Sequence, residues 1–426
     1  MAMYMESIAR VVKDIPLPKV AKVSQIFDQT QIDDPYNYLT AELNARLAPP
    51  TPGSRIAITC GSRGINSYPI LVKAAVDWVK SKGAQPILIP AMGSHGGATA
   101  EGQTALLNHL GVSEETMGAP ILSSMETVEI DRTVKGLPVY VDKNALECDG
   151  ILLLNRVKPH TSFRGPHESG LFKMMAIGLA KQKGADMTHY LRYEYFADNL
   201  IDVASRMLEK LNIIGGIATV ENGYDKIAEI HVLKAEEIPE KEPQILDKAR
   251  SYMSRILVDE FDALIEKEIG KSISGAGMDT NSVGRYSSTT ASGGPKIKTM
   301  GVLDLTEDSH GNANGMGLAD FITKRLYEKT DLETVYMNAL TSTATVLSKI
   351  HMILEKDEYV FRACAKHSGR LDPEDIRLVI IKSTKELGEV YMSRAAYEAN
   401  IDPEHCRLES DFFEIPFDEE GNLLLF

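Results

Sequence analysis

Cysteine is scarce in this chain. Cys60, Cys148, Cys364 and Cys406 are the only four in 426 residues, and no two stand in a C-x-x-C spacing. Its absence disfavours a zinc ribbon, an iron–sulfur cluster and a disulfide framework, and leaves reduced, mostly buried thiols as the expectation. Tryptophan occurs once, at Trp78. No run of roughly 18 apolar residues is present to span a bilayer, and Glu6 falls where a secretory leader would carry its apolar stretch. Positive charge is in deficit, with Lys+Arg 46 against Asp+Glu 60 and a net charge of −14. An acidic chain makes a poor nucleic-acid surface, so a soluble, cytoplasmic protein is expected, with neither nucleic acid nor membrane as partner. No G-x-G-x-x-G follows a predicted strand, so an enzyme using a diffusible nicotinamide cofactor lacks its usual fingerprint.

Apolar pattern is plentiful. Short continuous apolar runs at 54–60, 84–91 and 149–157 read as buried strands, and amphipathic segments at 68–83 and 98–111 read as the helices between them. A strand lateral to these is expected at 136–142 and a helical turn at 144–148. A long helix follows at 193–211, then paired strands at 213–222 and 227–235, and a helix at 242–256. The pattern resumes with strands at 261–270, 295–305, 376–384 and 407–415 and helices between 316 and 367. Buried strands alternating with helices predict an α/β fold of two domains, with mainly parallel sheets covered by helices. The boundary is expected at about residue 255. Residues 1–255 would form an N-terminal cofactor-binding domain. Residues 256–426 would form a C-terminal α/β domain closing over a site in the cleft between them.

In parallel α/β sheets, ligands bind beyond the carboxyl ends of the strands. Three successive strand ends here carry glycine-bearing loops with cation-capable side chains: Arg63 in CGSRGINSYP, His95 in AMGSHGGAT, and Lys158, His160 and Arg164 in KPHTSFRG. From Arg156 to Arg192 seven cations face only Glu168 and Asp186, and His160, His167 and His189 lie in the same window. A basic stretch in an acidic chain points to an anionic ligand. Two histidines at one site suit proton transfer near neutral pH, as in a racemase or epimerase, and the same pair could instead hold a metal. The spacing of His160, His167 and His189 matches no compact zinc signature, which disfavours a zinc hydrolase.

Taken in order, these residues resemble a known family. A Gly-Ser-Arg-Gly turn, a G-S-H-G-G turn, P-H-x-x-F-x-G, a lysine after a Ser-Gly step and a histidine sixteen positions beyond it resemble the nickel-pincer-nucleotide lactate racemases over residues 55 to 192. The resemblance implies a racemase or epimerase of 2-hydroxy acids whose cofactor is a nickel pyridinium-3,5-bisthiocarboxylic acid mononucleotide. It implies Lys173 as the covalent tether, His189 as the nickel ligand, and His95 and His160 as the paired acid and base. Arg63 would anchor a carboxylate or another anionic group of cofactor or substrate. The turn at Cys60-Gly61-Ser62-Arg63 has no carboxylate, glycine follows His95 where those racemases often carry arginine, and His167 is additional. These departures widen the expected substrate from lactate to larger 2-hydroxy acids such as sugar acids. Lys271 and the segment from Asp279 to Arg285 are candidate substrate contacts of the second domain, and the turn with Asp308 and His310 is a further candidate. The alternative is an anion- or nucleotide-binding protein of the same fold without racemase chemistry.

Overall fold

The computed structural model describes residues 2–62, 64–190 and 193–426. Arg63 and Arg192 lie outside the described residues. The chain divides into two compact units, Asp28–Met253 and Met1–Phe27 with Ser254–Phe426.

In the unit Asp28–Met253, the apolar runs form a five-stranded sheet in the order Gln85–Pro90, Arg55–Cys60, Gly150–Arg156, Ile213–Glu221, Ile227–Leu233. The first four strands are parallel and the last closes an antiparallel hairpin. Alternate residues feed two separate cores, which is why these strands read as continuous apolar runs. Ile56, Ile58, Leu152 and Leu154 pack with Leu71, Val72 and Trp78. Ala57, Ile87, Ile151 and Leu153 pack with Phe172, Met175, Phe196 and Leu200 on the other face. Full burial of one such leucine or phenylalanine side chain stabilises by about 2–3 kcal/mol. From Arg55–Cys60 the sheet grows to one side through Gln85–Pro90 and to the other through Gly150–Arg156, so the loops after residues 60 and 156 diverge. That reversal of strand order opens a crevice at the carboxyl ends.

Two elements of this unit differ from expectation. Pro138–Asp142 stays out of the parallel sheet and pairs antiparallel with Thr127–Arg132. Its partner, TVEIDR, is polar and largely unburied, so no apolar pattern announces it. The helix expected at 242–256 spans Ile238–Tyr252, started by a proline in its first turn.

The other unit carries an eight-stranded sheet in the order Met352–Leu354, Phe321–Thr323, Lys296–Leu305, Glu260–Ile269, Leu378–Ile381, Glu389–Ser393, Val20–Gln25, Cys406–Leu408. The first five strands are parallel and the last three add antiparallel pairings. Val20–Gln25 pairs with Glu389–Ser393, so residues 1–27 belong with this unit and not with the first 255 residues as a block.

Glu266, on the central strand of this sheet, is fully buried. Its Oε1 accepts the Thr384 N–H at 3.1 Å, and Oε2 has no hydrogen-bond partner among the described residues. Burial raises its pKa well above 4.5. A carboxyl with a raised folded pKa contributes its stability below about pH 4.5 and loses it as pH rises through the folded pKa. Glu266→Gln keeps the acceptor and removes the charge. It is expected to raise Tm at about pH 8 and change it little near pH 4, and a lower Tm at pH 8 would contradict this account.

Candidate active site

The three strand-end loops converge on a helical run from Leu171 to His189. This run is regular α-helix at Leu171–Lys173, π-helix at Met174–Leu179 and α-helix again at Lys181–His189, with Lys181 at the junction in a left-handed conformation of φ 55°. Single-turn π segments recur at functional sites because the wider turn re-aims the side chains around it. Here Lys173 stands immediately before the π segment, and His189 ends the helix that follows.

Glu242 sets where the run begins. Its buried carboxylate accepts the N–H groups of Leu171 at 2.5 Å and Phe172 at 3.2 Å, and its Oε1 lies 3.0 Å from His167 Nδ1. The first-turn donors of a helix need acceptors, and this acid supplies them from the distant helix Ile238–Tyr252. A Cβ on Gly170 would sit 2.8 Å from the Glu242 carboxyl carbon, so only glycine admits the carboxylate here. His167 also stacks on Phe172, with centroids 3.6 Å apart. His167 is therefore built into the support of the Lys173 segment.

The loop after Gly150–Arg156 is organised by a second buried acid, Glu168. Its carboxylate accepts the N–H of His160 at 2.6 Å and that of Gly165 at 3.3 Å, and it pairs with Arg250 at 2.7 Å and Arg164 at 3.5 Å. Arg164 in turn donates to the His160 carbonyl at 2.7 Å. The Ser162 N–H donates to His160 Nδ1 at 3.1 Å, so the neutral ring carries its proton on Nε2.

Phe196 joins the two histidines of this half. Its ring centroid lies 4.4 Å from His189 and 6.4 Å from His160. His189 is half-buried, and desolvation together with the nearby Lys173 charge pushes its pKa down to about 4. A neutral imidazole beside a lysine results. Asn199, fully buried on the helix Phe196–Lys210, donates weakly to the Thr188 carbonyl at 3.4 Å, and its Oδ1 has no partner among the described residues.

The other two loops dock on the π segment. Gly93, at φ +59°, donates to the Gly178 carbonyl at 3.3 Å, and a Cβ on it would lie 3.2 Å from Ile177. His95 is exposed on this turn, two residues beyond Gly93. Gly61 lies against Met174, 3.4 Å from where its own Cβ would be. The structure thus brings Lys173 and His189 together, with His160 sharing Phe196 and the His95 turn bonded to the same helical run. Lys271 belongs to the other unit, where its Nζ donates to the Gly275 carbonyl and Asn338 Oδ1, each at 2.9 Å. There Asp279 caps a short helix and Arg285 pairs with Asp320 at 2.7 Å.

Folding answers part of the cation excess counted along the chain, with two acids from outside that window, Glu221 and Asp142. Arg156 pairs with Glu221, Arg164 with Glu168 and Lys181 with Asp142, and Lys183 lies over the Tyr140 ring. Among the described residues no group of three or more His, Cys, Asp or Glu could hold a metal ion, so a metal at His189 would need donors from a bound group.

Comparison with known proteins gives a limited likeness. A family model described as a domain of unknown function, DUF362, matches residues 58–233, a span containing His95, His160, Lys173 and His189. No curated protein matches the chain. A crystal structure of a protein from Thermotoga maritima, solved by a structural genomics consortium, superposes with a TM-score of 0.50 at 14% identity, covering 82% of this chain and 94% of that one. That likeness shows a shared fold. The lactate racemase apoprotein from Thermoanaerobacterium thermosaccharolyticum superposes with a TM-score of 0.47 at 12% identity, covering 78% of this chain and 87% of that one. No helix among the described residues is long and apolar enough to cross a membrane.

Two outcomes test the geometry. Titration of His189 by NMR is expected near pH 4, far below 6.5, and Lys173→Met should raise the midpoint only part of the way because desolvation is the larger cause. On the same numbers His189 works against folding as pH falls from 6.5 to about 4. Glu242→Ala, which orphans two buried N–H groups, is expected to cost about 3 kcal/mol in denaturant unfolding. A cost under about 1 kcal/mol would mean that Glu242 does not hold the Lys173 segment.

Proposed function

We propose that this protein is an isomerase, a racemase or epimerase of 2-hydroxy acids, that carries a nickel-pincer nucleotide on Lys173. The observation that supports this most is the half-buried, neutral His189 imidazole beside Lys173 at the carboxyl ends of a parallel sheet. Neutral imidazole is the form that binds a metal, and a lysine amine is the group that forms a covalent amide or imine tether. The residues present fit such a group: one metal ligand from the chain, one tether, and a buried acceptor, Asn199 Oδ1, with no partner among the described residues. When bound, the cofactor would supply acceptance and return of a hydride, which amino-acid side chains cannot provide.

The chain's own residues would then hold the substrate and move its proton. His160 presents an Nε2–H donor, because Nδ1 is engaged by the Ser162 N–H, and that donor would orient and polarise the substrate hydroxyl or carbonyl oxygen. His95, exposed on its glycine-rich turn, would take and give back the hydroxyl proton. Of the expected pair of acid and base, geometry thus favours His95 as the proton carrier and His160 as the donor that fixes the oxygen. Arg63 and Lys271 remain proposals as carboxylate contacts. The proposed setting is cytoplasmic, with a small-molecule substrate. The alternative is an anion- or nucleotide-binding protein of the same fold without racemase chemistry, and the pairing of Arg156 and Lys181 with Glu221 and Asp142 leaves fewer cations to support it.

Intact mass and metal analysis on protein produced with a set of cofactor-synthesis enzymes test this reading. Expected are an adduct mapping to Lys173 and about one nickel per chain, both lost in Lys173→Ala. An unmodified, nickel-free parent under conditions that load a known lactate racemase would reject the proposal.

A further inference from the structure

Lys181 is fully buried, and so are Asp142 and Gln103. Its Nζ lies 3.1 Å from Asp142 Oδ2, 3.1 Å from Gln103 Oε1 and 2.5 Å from the Pro90 carbonyl. A lysine taken wholly out of water is costly unless its charge and donors are answered; here Asp142 answers the charge, and the Pro90 carbonyl and Gln103 Oε1 each accept a hydrogen bond. Asp142 is itself fixed, since Oδ1 accepts the Ala145 N–H at 3.0 Å. Lys181 adopts φ 55°, a backbone conformation that costs a non-glycine residue about 1 kcal/mol. The chain accepts both costs at the position that separates the π segment from the helix ending at His189.

Gln103 carries the connection onward. With Oε1 held by Lys181, its Nε2 donates to the Gly93 carbonyl at 3.0 Å and the His95 carbonyl at 3.2 Å. Those two carbonyls bracket the turn that displays His95. Gly96 and Gly97 follow at φ +64° each and Ala98 at φ 54°, so the turn has little regular structure of its own to fix it.

We infer that Lys181 is a positioning residue for His95, acting through Gln103 to lock the His95 turn to the same helical run that carries Lys173 and His189. The inference rests on the proposed role of His95 in proton transfer, while the structural link is independent of it. Lys181 is not a substrate or cofactor contact. It sets the spacing between a proton-transfer group and the tether by a chain of buried hydrogen bonds, and small errors of placement at such groups are expensive in rate.

The test uses Gln103→Leu, which cuts the link without leaving a charge, and the pair Lys181→Met with Asp142→Asn, which removes both buried charges together. Amide exchange is read first on the chain without cofactor. Residues 93–99 are expected to exchange about tenfold or more faster in both proteins, while the strand Gly150–Arg156 keeps its protection. In loaded protein, kcat for a 2-hydroxy acid is then expected to fall about tenfold with KM within about twofold, the signature of misplaced chemistry and not of lost binding. Unchanged exchange at 93–99, or faster exchange with unchanged kcat in an active parent, would overturn the inference and leave the proposed reaction standing. Faster exchange together with a loaded parent that isomerises no 2-hydroxy acid would instead reject the reaction and leave the link between Lys181 and the turn in place.

Discussion

The candidate site depends on buried carboxylates that answer its cations and its exposed backbone donors from distant parts of the chain. Glu242 closes the start of the Lys173 helix, Glu168 gathers the His160 loop, Asp142 balances Lys181, and Glu221 balances Arg156. Removing one partner of such a buried set leaves a desolvated charge or an orphaned N–H, which costs far more than a surface ion pair contributes. The arrangement therefore specifies one conformation of the loops at the sheet's carboxyl edge. It also lets several cations sit near one another.

With those charges neutralised locally, the environment of the remaining groups follows from burial. His189 is held neutral by desolvation and by Lys173, and its ring lies against Phe196, which His160 also approaches. His160 is fixed as a donor through the Ser162 N–H at Nδ1. The π segment between Lys173 and Lys181 gives the loops a surface to dock on without any loop contributing much regular structure. Function on this scaffold lives in loops positioned by a rigid sheet, as expected for parallel α/β architecture.

Much of this was legible in sequence wherever the signal was local. The runs at 54–60, 84–91 and 149–157 are strands within a residue or two of expectation, because burial on both faces writes a continuous apolar code. The glycine-bearing loops follow the carboxyl ends of those three strands. What escaped was non-local. The partner of Arg156 lies 65 residues away and that of His167 lies 75 away, so a window count of charge overstates the basic character that folding leaves. The strand Val20–Gln25 joins Glu389–Ser393 across almost the whole chain, and nothing in VAKVSQ names that partner. Polar TVEIDR gave no periodicity, and the π segment has no composition of its own; MMAIGL reads simply as buried. The signal for Lys181 was present in hindsight: a lysine directly after the apolar run MAIGLA must be buried or break it.

On the proposed function, these residues serve an isomerase that moves the α-hydrogen of a 2-hydroxy acid as hydride. The most direct measurement gives cofactor-loaded protein a single enantiomer of an α-deuterated 2-hydroxy acid and follows chirality and isotope together, across a series from lactate to sugar acids. Under hydride transfer the opposite enantiomer, or the epimer of a sugar acid, is expected to appear with deuterium retained on carbon. Deuterium lost to solvent would indicate proton abstraction instead, and a series left wholly unchanged would contradict the isomerase reading itself.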